Sequence, residues 1–272
     1  MMRRRAALVE DGRKGDKPDM FEIATNLALL LILAAALAGF VDAIAGGGGL
    51  ITVPALLLAG ASPVEALATN KLQGTFGAAT ASLAYARAGH VRLRDQAGMA
   101  VISGLGGAAG AMAAHLIPAE VLRLVMPVIL IGVAAFFAFR KGLTDADRVE
   151  RMRPAVFTFT AVPLIAGYDG LFGPGTGSFF MIAFVALAGF GVLKATAHTK
   201  LLNFASNLGS LLVFAFSGAT WWMTGFAMAV GQVAGAAIGA RVAMRVGARV
   251  IRPLLVVTST AMALRLIWQA LA

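Results

Sequence analysis

Charged side chains are missing from four long stretches of this chain: between Glu22 and Asp42, between Asp95 and Glu120, between Asp169 and Lys194, and from Leu201 to Ala240. A bilayer core takes about 20 apolar residues per helix. The last stretch is forty residues long and therefore holds two spans, with Ser217-Gly218-Ala219-Thr220-Trp221-Trp222 as the turn. The hydrophobic runs predict helices at about 23–45, 50–60, 63–87, 96–117 and 120–139, then at about 154–172, 177–190, 192–216, 221–243 and 251–271. Five segments are followed by five more.

The halves also match in detail. Asp42 before Gly46-Gly47-Gly48-Gly49 parallels Asp169 before Gly173-Pro174-Gly175-Thr176-Gly177, at an offset of 127 residues. Ala66 to Leu72, containing Thr69-Asn70-Lys71, parallels Ala195 to Leu201, containing His198-Thr199-Lys200, at an offset of 129. This is an internal duplication, a signature of transporters. Equivalent loops differ in charge. The loop after Arg87 is basic and its counterpart near Gly218 is not, whereas the turn at Ile117-Pro118 is uncharged and its counterpart at 241–252 carries four arginines. The positive-inside bias then puts equivalent loops on opposite sides, so the repeats are expected to be inverted, with both termini facing away from the cytoplasm. Gly231, Gly235 and Gly239, like Gly106, Gly110 and Ala114, recur every four residues and allow close helix packing. Trp221, Trp222, Trp268 and Tyr85 fall at span ends as interface anchors.

Composition agrees: 59% of the 272 residues are hydrophobic and 13% charged, too few charges to coat a soluble globule. The net charge of +10 lies in clusters between spans, at Arg87, Arg92 and Arg94, at Arg140 to Arg153, and at Arg241 to Arg252. Membrane sidedness accounts for it without nucleic acid. There is no cysteine, hence no disulfide framework or thiolate. Residues 1–22 read as a flexible tail, 23–140 as the first transmembrane repeat, 141–153 as a basic cytoplasmic linker and 154–272 as the second repeat. The run after Arg3-Arg4-Arg5 is too long for the core of a cleaved signal peptide, and Met20 is an alternative start.

The candidate chemistry lies where helices should break. Each glycine costs about 1 kcal/mol in a helix relative to alanine, and irregular backbone at membrane depth is tolerated only in protein or beside a watery cavity. Gly46, Gly47, Gly48 and Gly49 should therefore interrupt the helix, leaving a re-entrant half-helix whose free amides favour an anion. Gly173 to Gly177 supply the second half-site, with Gly175, Thr176, Gly177 and Ser178 as backbone and hydroxyl donors. Asn70, Lys71 and Gln73, with Thr199, Lys200, Asn203 and Asn207, form a second group, and Thr199, Asn203, Ser206, Asn207 and Ser210 make a polar stripe. Interface snorkelling, hydrogen bonding between helices and a cavity wall are the competing explanations. Asp42 and Asp169 are the only carboxylates well within predicted spans. They suit hydrogen bonding to the broken helix, pairing with Lys71 or Lys200, or coupling to a proton or sodium ion. His198 joins them as a coupling or structural residue. His90, His115 and His198 lack metal-ligand spacing, and no cofactor or metal is expected. An intramembrane aspartyl hydrolase would use Asp42 and Asp169, but their surroundings, Val41-Asp42-Ala43 and Tyr168-Asp169-Gly170, lack the Gly-x-Gly-Asp motif.

From Gly39 to Pro54, through Asp42-Ala43-Ile44-Ala45-Gly46-Gly47-Gly48-Gly49, and at Thr69-Asn70-Lys71-Leu72-Gln73, the chain resembles the TauE/SafE sulfite exporter family, and within it the YfcA-like branch. Phe172 to Phe179 and Ala197 to Asn207 carry the resemblance into the second half. It implies a multi-pass permease of the bacterial inner membrane for sulfite, sulfonates or sulfoacetate, in a family with about eight spans. The expected fold is thus all-α and polytopic: two inverted repeats, each a broken-helix hairpin followed by three spans, with eight to ten hydrophobic segments. The expected partners are a small anion, the lipid bilayer and a coupling ion, with a homodimer compatible. A passive anion channel is the alternative reading.

Overall fold

The computed structural model describes residues 25–118 and 149–247, together with 120, 121 and 128. The tail at 1–22, nearly all of the segment expected at 120–139, and the one at 251–271 lie outside the described residues, as does most of the linker. The described residues form helices and no strands: α1 (Thr25–Ala45), α2 (Gly49–Leu58), α3 (Pro63–Arg87), α4 (Ala97–Leu116), α5 (Pro154–Phe159), α6 (Ala161–Leu171), α7 (Thr176–Ala186), α8 (Val192–Ala215) and α9 (Trp222–Val246). Three are long and apolar enough to cross a membrane: α1 over Leu27–Ala45, α4 and α9. At about 1.5 Å per residue, α2 and α7, of 10 and 11 residues, reach only half as far.

The run at 154–172 forms two helices rather than one. Pro163 has no N–H to give the Phe159 carbonyl, and the chain kinks at Thr160, whose hydroxyl bonds the Val156 carbonyl at 2.6 Å. At the start of α3, Ser62 and Glu65 form a reciprocal capping box with Pro63 in the first turn.

Burial is inverted relative to a water-soluble protein. Leu33, Leu105 and Val230 are 64, 63 and 70% exposed, whereas Lys71 and Lys200 are 0% exposed and Asp169 is 2% exposed. Polar residues line the interior and leucine and valine the outside, the arrangement a hydrocarbon solvent requires.

Close packing joins the halves crosswise. α9 lies on α1, where Gly231, Gly235 and Gly239 meet the backbone carbonyls of Ile32, Ala36 and Phe40. α4 lies on α6, where Gly106 and Gly110 meet Pro163 and Gly167. The last described helix of the second half thus rests on α1 of the first, and α4 of the first half rests on α6 of the second. α3 and α8 pack together at the centre in opposite directions. At one end of the molecule Gln96 donates to the His198 carbonyl near the start of α8, and Tyr85, Leu93, Met152, Phe190 and Met244 share one apolar cluster. At the other end the Trp221 amide donates to the Thr69 hydroxyl near the start of α3, and the His115 ring packs tilted against Phe214 at 5.0 Å. The loop after Arg87 thus lies beside the start of α8, and the α8–α9 turn beside the start of α3.

Candidate functional site

The two glycine breaks meet in the middle of the bundle. The chain leaves α1 through Gly46 at φ +77°, a conformation that L side chains avoid, and a Cβ there would run into the Gly177 backbone. The Ser178 amide donates to the Gly46 carbonyl at 2.8 Å and its hydroxyl donates to the Ala45 carbonyl at 2.7 Å, stapling one break to the other. Among the described residues the amides of Gly47, Gly49, Gly175 and Gly177 donate no hydrogen bond.

These breaks surround a cavity of about 20 Å³ lined by Gly46, Gly47, Gly48, Gly49, Gly173, Gly175, Thr176 and Gly177, by Asn70 and Gly74 of α3, by Asn203 and Asn207 of α8, by Asp42 and Asp169, and by Gln232 of α9. The Asn70 carbonyl oxygen is occupied, accepting from Thr52 Oγ1 at 2.6 Å and Gln73 Nε2 at 3.0 Å. Its amide nitrogen is thereby turned toward Gly49 and Gly173, one from each break. Asn207 donates to the Asn203 carbonyl at 2.7 Å, which fixes that side chain on the opposite wall.

Charge pairing runs crosswise. Lys71 Nζ of the first half lies 2.7 Å from Asp169 Oδ1 of the second, a close ion pair. Lys200 Nζ of the second half lies 3.5 Å from Asp42 Oδ2 of the first, and donates to the Asp42 backbone carbonyl. Both lysines are wholly buried, so neither snorkels to an interface. They stand behind the carboxylates rather than on the cavity.

Several residues expected on the site lie elsewhere. Gln73 holds Asn70 from behind, and Ser178 spends its hydroxyl on the staple. Thr199 is buried off the cavity with its hydroxyl unpartnered. His198 packs between Phe184 and Phe190, at ring separations of 5.7 and 4.9 Å, remote from the breaks. Within the polar stripe the roles divide: Asn203 and Asn207 line the cavity, whereas Ser206 bonds Asp169 at 2.6 Å and Ser210 bonds the Gly107 carbonyl at 3.0 Å. Gln232 and Gly74, which belong to neither glycine run nor to the polar stripe, also line the cavity. Gln232 was legible as the lone side-chain amide of an apolar, glycine-rich helix, and Gly74 as the repeat counterpart of Asn203.

Comparison with known proteins follows the same lines. The profile of the family described as sulfite exporter TauE/SafE matches residues 31–266. The chain is 54% identical over 248 residues to "Probable membrane transporter protein ORF9" of Sinorhizobium sp, covering 91% of this chain and 95% of that protein. It is 43% identical over 251 residues to "Probable membrane transporter protein YfcA" of Escherichia coli strain K12, covering 92% and 93%. A "Probable membrane transporter protein" of Haemophilus influenzae is 40% identical over 247 residues, covering 91% and 97%. No solved structure matches the chain significantly. With its broken helices, buried polar centre and apolar exterior, this chain is a membrane protein belonging to the TauE/SafE sulfite exporter family of transporters.

Proposed function

We propose that the chain is a secondary transporter of the bacterial inner membrane that carries a small sulfur oxyanion, such as sulfite or a sulfonate, between two inverted repeats. The observation that carries this reading is the meeting of both helix breaks at one cavity, whose wall includes Asn70 and four glycines with free amides. Backbone amides at helix starts are suited to oxyanions, and the neutral donors around them match oxygen acceptors without requiring a net positive wall. Paired with Asp169 and Asp42, Lys71 and Lys200 leave the four charges balanced.

Inversion of the repeats is supported by the antiparallel course of α3 and α8 and by equivalent loops lying at opposite ends. A cavity of about 20 Å³ has room for about one water. A sulfur oxyanion enters as the two breaks separate, and that separation, with each half resting crosswise on the other, is the movement of alternating access.

The test is uptake of labelled sulfite and methanesulfonate by proteoliposomes containing the purified full chain. Saturable uptake with mutual competition supports the reading. Flux that never saturates makes the protein a channel, and uptake no greater than in empty liposomes overturns the substrate class.

A further inference from the structure

The two ion pairs are equivalent in the repeat and unequal in their surroundings. Asp169 has both carboxylate oxygens engaged, Oδ1 by Lys71 at 2.7 Å and Oδ2 by the Ser206 hydroxyl at 2.6 Å, and its side chain is 3% exposed. Asp42 is held loosely: Lys200 lies 3.5 Å from Oδ2, the Gly48 amide donates to Oδ1 at 3.4 Å, and the side chain is 13% exposed. The Lys200 ammonium is drawn instead to the Asp42 backbone carbonyl. The sequence supplies the cause. The offset of 129 that equates Lys71 with Lys200 equates Gly77 with Ser206, so Asp42 has no hydroxyl to cap it. Gln232 fills the space a side chain at Gly77 would need.

We infer that Asp42 is the proton-binding group that couples anion movement to proton movement, while Lys71, Asp169 and Ser206 form a fixed clamp. The inference rests on the oxyanion reading above. Of the two carboxylates on the cavity, Asp42 is the one with the looser partners and the more exposed side chain. An anion entering beside an ionised Asp42 is repelled. Protonation of one Asp42 oxygen removes that charge and leaves the Lys200 ammonium uncompensated, so a monoanion and a proton enter together. On the far side the proton leaves Asp42 as the anion departs and the Lys200 pair re-forms. No bond within the anion changes.

The groups facing Asp42 are few. Lys200 approaches from α8 and Tyr85 from α3, its hydroxyl donating to the Ala43 carbonyl at 3.0 Å. Asp169 with Lys71 lies across the cavity. α2 and α7 carry no titratable residue, and α9 contributes the neutral Gln232.

Proteoliposomes of the full chain with a trapped pH dye provide the test, using methanesulfonate because its charge is constant across the range. In the wild type, affinity for methanesulfonate rises as pH falls, by up to about tenfold per pH unit for one linked proton. Added methanesulfonate or sulfite drives proton entry. Asp42→Asn is expected to lose proton entry, and whatever methanesulfonate exchange it shows is expected to have an affinity flat in pH. Asp42→Glu keeps proton entry with a displaced pH profile, and alone decides the matter if the asparagine variant does not fold. Proton entry in Asp42→Asn equal to wild type, an unmoved profile in Asp42→Glu, or a wild-type affinity flat in pH overturns the inference. Wild-type protein that binds neither anion at any pH overturns the oxyanion reading, a result distinct from these.

Discussion

Lys71 on α3 and Asp169 on α6 meet at 2.7 Å inside the bundle, and each comes from a different half of the chain. Removing one member strands the other as a buried charge, at a cost of about 3–5 kcal/mol. Lys71→Met is expected to lower the thermal unfolding midpoint in detergent sharply. Lys71→Met combined with Asp169→Leu should recover most of the loss, and a double variant as unstable as the single would mean that the pair contributes nothing as a pair.

The two breaks tolerate substitution unequally. Gly46→Ala forces a Cβ into the Gly177 backbone at a φ of +77°, whereas an alanine at Gly47 meets only Leu50 Cδ1 at 3.5 Å. Gly46→Ala should abolish sulfite uptake and Gly47→Ala should keep it within a few-fold of wild type. Equal effects would show that the breaks need not touch.

The sequence made the architecture readable because hydrocarbon solvent leaves a coarse signature: charge-free runs, glycine clusters and a repeat offset predicted every described helix to within about four residues, apart from the kink at Thr160. The site was readable only in part. Gly46 to Gly49 and Gly175 to Gly177 announce themselves because glycine runs are costly in a helix. Which polar neighbour faces the cavity is set by helix rotation and by partners far along the chain. Hence Gln73 and Ser178 looked like ligands yet serve Asn70 and the staple, and the crosswise choice of Lys71 for Asp169 required knowing that α3 and α8 pack antiparallel.

Helix packing gives a sharper contrast than hydropathy. Gly235→Leu pushes a side chain against the Ala36 carbonyl of α1 and should cost at least about 1–3 kcal/mol by overpacking. Gly98→Ala meets nothing within 4 Å and should leave the midpoint unchanged or slightly raised. Comparing unfolding midpoints of the two variants checks this.

Thr52 anchors the Asn70 carbonyl oxygen at 2.6 Å. Thr52→Val keeps the shape and deletes that bond, worth about 1 kcal/mol. The KM for sulfite should rise about fivefold with little change in maximal rate, and Thr52→Ser should restore it. A fall in maximal rate alone would remove Thr52 from the binding side of the account.

The absence of cysteine makes topology accessible to single-cysteine labelling. Residues placed at 150 and at 218 should react with a membrane-impermeant maleimide from opposite sides. Reaction from the same side would contradict inverted repeats.

Titration of purified protein with sulfite tests the joined site most directly, because two breaks that form one cavity bind one anion. The expected stoichiometry is about one sulfite per chain, lost in Gly46→Ala and retained in Gly47→Ala. Two independent sites per chain, or binding unaffected by Gly46→Ala, would contradict a single anion site shared between the repeats.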